Sequence, residues 1–109
     1  MLPTVIVPVF NAREALDACL ASLERTLPAR SRVLICDDAS TDPHIEPLAR
    51  GWCYRSRLDA RYVLRGHNLG FPGNCNAAFA ETGDDDVLLL NSDAVATTGW
   101  LQQIARCAD

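Results

Sequence analysis

Lysine is absent from this 109-residue sequence, so all ten of its basic residues are arginine, and they form no run. Against fourteen acidic residues they leave a formal net charge of -4. A chain of that sign has no general attraction for phosphate backbones, and nucleic acid is not an expected partner. The missing lysine also counts against a receiver-like module, whose acidic phosphoacceptor pocket would be completed by a lysine at a later strand end. Apolar runs stop at about six residues, far below the roughly 20 that cross a bilayer. The amino terminus has no basic segment leading into an apolar stretch, so neither a membrane span nor a secretion signal is expected. No CxxC pair occurs among the five cysteines, Cys19, Cys36, Cys53, Cys75 and Cys107. Their odd number and wide spacing point to free, reduced thiols in a cytoplasmic protein rather than to a metal cluster.

What the sequence does contain is a regular alternation of apolar runs and helical patterns. Thr4-Val5-Ile6-Val7-Pro8-Val9-Phe10 is the β-branched run of a parallel strand covered on both faces, with Pro8 marking its carboxyl end because proline cannot donate to a ladder. Asn11 stands three residues before Glu14, the spacing of a capping box. Leu16, Leu20, Leu23 and Leu27 then recur on one face, so a helix is expected from Ala12 to about Arg25. A second strand, Arg32-Val33-Leu34-Ile35-Cys36, delivers Asp37-Asp38-Ala39-Ser40-Thr41-Asp42 to a loop. Asp42-Pro43 reads as an N-cap with proline at the first helical position, ahead of Ile45, Leu48 and Trp52, and Pro47 should shorten or bend that helix.

Arg61-Tyr62-Val63-Leu64-Arg65 makes a third strand, and Gly66 to Gly73 leads into a helix that starts near Pro72 and ends at Gly83. Val87-Leu88-Leu89-Leu90 is a fourth strand, followed by Asn91-Ser92-Asp93 and a last helix carrying Trp100, Leu101, Ile104 and Ala105. The order βαβαβαβα predicts one α/β domain over residues 1–109, a mostly parallel sheet between helical layers.

Ligands of open parallel sheets bind beyond the carboxyl ends of the strands, and the polar residues concentrate at those ends. A carboxylate at the second strand end could accept hydrogen bonds from a base N–H or from ribose hydroxyls. One at the fourth could hold a divalent ion against a diphosphate. Asp37 and Asp38 also fit plain turn and cap positions, and Asn91-Ser92-Asp93 fits an Asx-type turn.

Taken in order, Thr4 to Asn11, Asp37 to Asp42, Asn68-Leu69-Gly70-Phe71 with Asn76, and Leu88 to Asp93 resemble the successive signatures of family-2 glycosyltransferases. The likeness runs from about Leu2 to about Ile104. It implies a GT-A fold, a Rossmann-like three-layer sandwich, here the truncated nucleotide-sugar-binding portion without the acceptor-binding part. It further implies an inverting transfer from a nucleoside-diphosphate sugar to a hydroxyl acceptor on a glycan, a lipid carrier or a protein.

Carried over by position, the resemblance makes Asp38 the base-recognising carboxylate, with Asp37 supporting its loop and Pro8, Val9 and Phe10 walling the base pocket. Asn68, Gly70 and Asn76 would shape the loop and helix under the donor. Ser92 and Asp93 would reach its diphosphate, Asp93 as the metal ligand for Mg2+ or Mn2+. Asn91 stands where the family's DXD motif has its first acid, leaving one carboxylate instead of two. The general base is expected outside this chain, and membrane association, if any, would be peripheral and come from other segments.

Other polar features are read as structural. Asp84-Asp85-Asp86 precedes the fourth strand, at the edge opposite the expected pocket, and fits a solvated loop. His67 fits an exposed loop position, while Trp52, Phe79 and Trp100 fall on apolar helix faces and read as packing.

Overall fold

Strand pairing explains the uninterrupted apolar runs. The computed structural model of the chain describes residues 3–83 and 86–91. In order come β1 (Thr4–Val9), α1 (Arg13–Thr26), β2 (Arg32–Asp37), α2 (Ile45–Arg55), β3 (Asp59–Leu64), α3 (Gly70–Thr82) and β4 (Val87–Leu89). The strands form one sheet in the order β3-β2-β1-β4, and each pairing is parallel. β1 and β2 occupy the middle, which is why nearly every residue of both is buried.

Each strand sends alternate residues to opposite layers. Val5, Val7, Val9, Val33 and Ile35 meet Leu16, Cys19, Leu20 and Leu23 of α1 and Ile45, Ala49 and Trp52 of α2. On the other face, Ile6, Leu34 and Cys36 pack against Ala78 of α3. The expected three-layer α/β arrangement is therefore present, with the described sheet wholly parallel. Strand order reverses at β1, whose neighbours are β2 on one side and β4 on the other.

Pro8 sits inside this central strand rather than after it, one residue before the end of β1. The backbone groups of Thr4 and Ile6 bond toward β4, and Val9 bonds toward β2. By the same alternation Pro8 faces the β4 side, where the paired residues of β1 stop at Ile6. Its missing N–H thus costs no ladder bond.

Four local expectations are corrected. Asn11 does not cap α1: the N-cap is Ala12, in the left-handed region at φ 59 with no side-chain cap bond, and the Asn11 side chain reaches elsewhere. Asp42 and Pro43 belong to a turn before α2, in which Asp42 Oδ1 accepts the His44 N–H at 2.9 Å. Pro47 therefore falls in the first turn of α2, where a backbone N–H has no helical partner to lose. Phe79 is 37% exposed and is not a core residue. α3 begins two residues earlier than expected, at Gly70, and does end at Gly83. The helix expected around Trp100, together with Asp84, Asp85 and Cys107, lies outside the described residues. Among the described residues Cys19, Cys36 and Cys75 are buried, Cys53 is half-buried, and all four are free thiols. No helix of the described residues is long and apolar enough to cross a membrane.

The carboxyl end of α1 is closed from outside the helix. Arg57 Nε donates to the Glu24 carbonyl at 3.1 Å, and Nη2 donates to the carbonyls of Glu24 and Leu27. These acceptors lack intrahelical donors, and a cation there also opposes the negative end of the helix dipole.

Ile35 tests the core. Its side chain is fully buried in the middle of β2, and Ile35→Ala is expected to cost about 2–5 kcal/mol. Urea unfolding should show this as a lower midpoint, whereas Tyr54→Ala, at a 92% exposed position, should stay within about 0.5 kcal/mol of the parent.

Candidate functional site

The two adjacent acids at the end of β2 face opposite layers because the strand is pleated. Asp37 continues the face of Val33 and Ile35 and is 1% exposed; Asp38 continues the face of Leu34 and Cys36 and is 4% exposed. A buried carboxylate must be hydrogen-bonded, and the two solve this differently.

Asp37 is fully engaged within the protein. Its Oδ1 accepts the Ser40 N–H at 2.9 Å, its Oδ2 accepts the Tyr62 hydroxyl, and its carbonyl accepts the Arg65 N–H at 2.9 Å. Burial, and then the bond to Asp37, push the Tyr62 phenol well above the ordinary tyrosine range. Arg50 lies 4.8 Å above the same ring and is held at 2.8 Å by Glu46. Asp37 thus fixes the loop after β2, as expected of a supporting residue, and has no oxygen to spare.

Asp38 divides its carboxylate. Oδ1 accepts the Leu69 N–H at 2.7 Å, at the N-cap of α3, and the backbone N–H bonds the Val9 carbonyl at 2.9 Å. Oδ2 accepts no hydrogen bond among the described residues. Asn68 completes the join: its Nδ2 donates to the Asp38 carbonyl at 3.1 Å, and its Oδ1 accepts the Gly70 N–H at 3.0 Å. Gly70 adopts φ 79, a left-handed conformation that glycine takes at little cost. The amides of Leu69 and Gly70 are therefore already bonded to protein oxygens, and Pro72 has none to offer an anion at the start of α3.

These residues enclose a pocket of about 250 Å³, lined by Pro8, Val9, Phe10, Asp38, Asn68, Gly70, Phe71 and Asn74. Phe10 and Phe71 are 49% and 56% exposed, and both rings line this one pocket. A second cavity, about 230 Å³, is lined by Thr4, Arg32, Asp59, Arg61 and Glu81 among others. It opens at the starting ends of β1, β2 and β3, and Arg61 there is paired with Asp59 at 3.6 Å. The first pocket is the candidate, since it lies at the strand ends where such folds bind ligands.

Six expected residues, Pro8, Val9, Phe10, Asp38, Asn68 and Gly70, thus meet at one pocket, with Asp37 directly beneath. Asn76 does not line it and is exposed on α3. Asn74 does line it and escaped the sequence reading, although it stands four residues after Gly70, on the same face of α3. Its Nδ2 donates to the Cys36 carbonyl at 2.9 Å and its Oδ1 accepts Arg65 Nε at 2.9 Å. Arg65 in turn grips both oxygens of Glu81, at 2.9 and 2.8 Å, tying α3 to the sheet. Burial pushes the neighbouring Cys36 thiol up to about 12, and burial with the nearby Asp38 charge raises that of Cys75.

Ser92 and Asp93 lie outside the described residues. Asn91 is described, exposed just past β4, and its carbonyl accepts the Cys19 thiol at 3.9 Å. β4 runs parallel to β1, so Asn91 emerges on the same rim as Asp38. Among the described residues no three of His, Cys, Asp and Glu converge to hold a metal ion. His67 is exposed, and the Asp86 carbonyl accepts the Thr4 N–H at 2.8 Å at the opposite edge of the sheet.

Comparison with known proteins bears on the family and the fold. The sequence model of the family described as Glycosyl transferase family 2 matches residues 4–109. Over 94 residues the chain is 31% identical to a poly(ribitol-phosphate) beta-glucosyltransferase of Bacillus spizizenii, covering 83% of this chain and 14% of that protein. The structure of S. aureus TarS 1-349 in complex with UDP-GlcNAc superposes with a TM-score of 0.78 at 26% identity, over 97% of this chain and 30% of the other. The mannosyltransferase PcManGT from Pyrobaculum calidifontis, in complex with GDP-Man and Mn2+, shares the fold with a TM-score of 0.83 at 23% identity, over all of this chain and 33% of the other. The chain therefore spans about a third of the length of these solved structures and a smaller share of the curated relative.

Tyr62→Phe tests the support under the pocket. It leaves Asp37 Oδ2 without its donor and is expected to cost about 1–3 kcal/mol. Because the phenol's pKa is raised on folding, its contribution is present below the unfolded value of about 10 and is lost as pH rises beyond it. Stability of the parent should fall through that alkaline window, and the Phe variant should lose that part of the slope.

Proposed function

This chain belongs to glycosyl transferase family 2, and we propose that its rim pocket binds a nucleoside-diphosphate sugar as donor for transfer to a hydroxyl acceptor. The observation that carries the reading is the divided carboxylate of Asp38. Oδ1 is committed to α3, while Oδ2 is left for a ligand N–H or hydroxyl in a pocket flanked by Phe10 and Phe71. A planar base with an N–H edge fits that chemistry, the aromatic rings offering area and the carboxylate a charge-assisted hydrogen bond.

The diphosphate would then extend along the rim toward the end of β4, where Asn91 emerges ahead of Ser92 and Asp93. The described residues alone provide no cation set. Asp93, with phosphate oxygens and water, is the residue assigned to a divalent Mg2+ or Mn2+, ions that bind through few carboxylates and keep several waters. Such an ion would offset charge on the departing diphosphate. Asn91 in place of a second acid makes that reliance on substrate oxygens heavier.

The transfer itself is an inverting, in-line displacement. The acceptor oxygen forms a bond to the anomeric carbon, the bond from that carbon to the diphosphate breaks, and the hydroxyl proton passes to a carboxylate base. That base, and the acceptor contacts, are assigned outside residues 1–109, because the chain spans only about a third of its solved relatives. The cytoplasm, where the thiols stay reduced, is the proposed setting. A receiver-like reading is disfavoured, since both side-chain oxygens of Asp37 are consumed internally.

Calorimetry with UDP, GDP, dTDP and CDP sugars, with and without Mn2+, tests the proposal, and silence across the panel would sink it. Asp38→Asn preserves an acceptor for the Leu69 amide but replaces the open oxygen with a donor. It should weaken the best donor by about tenfold or more with folding intact. Asp93→Ala should abolish the Mn2+ dependence of donor binding; an unchanged metal response would move the ion elsewhere.

A further inference from the structure

Asn11 stands outside the pocket lining, yet its backbone and side chain bond three successive residues of the loop after β2. Its backbone N–H donates to Ser40 Oγ at 2.8 Å, its Nδ2 donates to Thr41 Oγ1 at 3.1 Å, and its Oδ1 accepts the Asp42 N–H at 2.9 Å. All three bonds cross from the turn after β1 to the loop after β2. Asn11 holds φ 57 to make them, and the facing loop holds Ala39 at φ 59. Asparagine takes that conformation more readily than most residues, but for alanine it is costly, so the surrounding bonds must over-determine it at Ala39.

The consequence concerns the two residues on either side of the latch. Phe10 immediately precedes Asn11, Asp38 immediately precedes Ala39, and Phe10 and Asp38 both line the pocket. Ser40 is held at both ends of the relay: its Oγ by Asn11, its N–H by Asp37 Oδ1. We propose that Asn11 is a positioning residue that locks the β1 and β2 ends into one unit, fixing Phe10 and the Asp38 carboxylate at the spacing a nucleotide requires. Asn11 touches no ligand; it acts through Asp38 and Phe10. The role deepens the donor-binding reading and, for its binding arm, rests on it.

Two variants separate the latch from the fold. Asn11→Gly deletes the carboxamide while suiting φ 57, and Asn11→Asp keeps an oxygen for the Asp42 amide. Ser40→Ala removes the other side of the relay and serves if the glycine variant is too unstable to purify. The first readout is amide hydrogen exchange in the ligand-free protein, followed at Leu69, whose N–H bonds Asp38 and not Asn11. Asn11→Gly or Ser40→Ala should speed exchange at Leu69 by about tenfold, and Asn11→Asp should leave it near the parent rate. A change confined to the amides of Asn11 and Asp42 would make the contact merely local and overturn the proposal.

The second readout is the affinity for UDP and GDP. The better ligand should weaken about tenfold in Asn11→Gly, with no further loss when Asp38→Asn is added, since both changes remove one function. Additive losses, or full affinity in Asn11→Gly, would overturn the positioning role. A parent protein that binds neither nucleotide would fail the donor reading alone, and the exchange result would still decide the latch.

Discussion

A single 2.7 Å bond, from the Leu69 amide to Asp38 Oδ1, joins the end of a central strand to the first turn of the helix on the opposite layer. The geometry of the rim follows from it. The carboxylate caps α3 from a distance of thirty-one residues, placing negative charge at the positive end of the helix dipole. The same bond leaves the second oxygen without a protein donor among the described residues and brings Asn68, Gly70 and Phe71 to the pocket that the ends of β1 and β2 also line. Structural and ligand-binding demands thus fall on two atoms of one side chain. Replacing the carboxylate with an amide separates them, because the amide retains only the capping acceptor.

The pairing of Asp37 with Asp38 becomes intelligible in the same terms. Two buried acids in sequence would repel each other if they shared an environment. The pleat instead sends Asp37 into the α1 and α2 layer, where Tyr62 and the Ser40 amide satisfy it, and Asp38 into the α3 layer. Below Asp38, Arg65 supplies the nearest strong positive charge on that layer, held in place by Glu81 and Asn74. The two acids differ in role because the strand gives them different neighbours.

Much of this was legible before any coordinates. The four apolar runs became the four parallel strands, and the clustering of polar residues at their carboxyl ends pointed to the rim, because open parallel sheets bind ligands beyond those ends. What escaped was long-range. Asn11 has the spacing of a capping residue, but its carboxamide bonds Thr41 and the Asp42 amide, some thirty residues away, and no local pattern encodes that choice. The family resemblance points to Asn76, yet it is Asn74, two residues earlier, that lines the pocket. Only the phase of α3 relative to the sheet, fixed by its start at Gly70, decides which of them is buried. Phe79 was misplaced for the complementary reason: α3 meets the sheet through the small Ala78, leaving the larger neighbour half outside.

Backbone strain supports the same division between scaffold and site. Among the described residues four non-glycine positions have positive φ: Asn11, Ala12, Arg30 and Ala39. Three of the four lie at the carboxyl ends of β1 and β2, two of them alanines, whose side chains offer no local bond to offset the cost. A loop selected for stability alone would place glycine at such positions. Alanine stands here where the conformation is enforced by the bonds around it, and a residue stiffer than glycine narrows the alternatives open to the loop. The strain is thus the complement of the latch: Asn11 and Ser40 hold the conformation, and Ala12 and Ala39 keep it from being one of many.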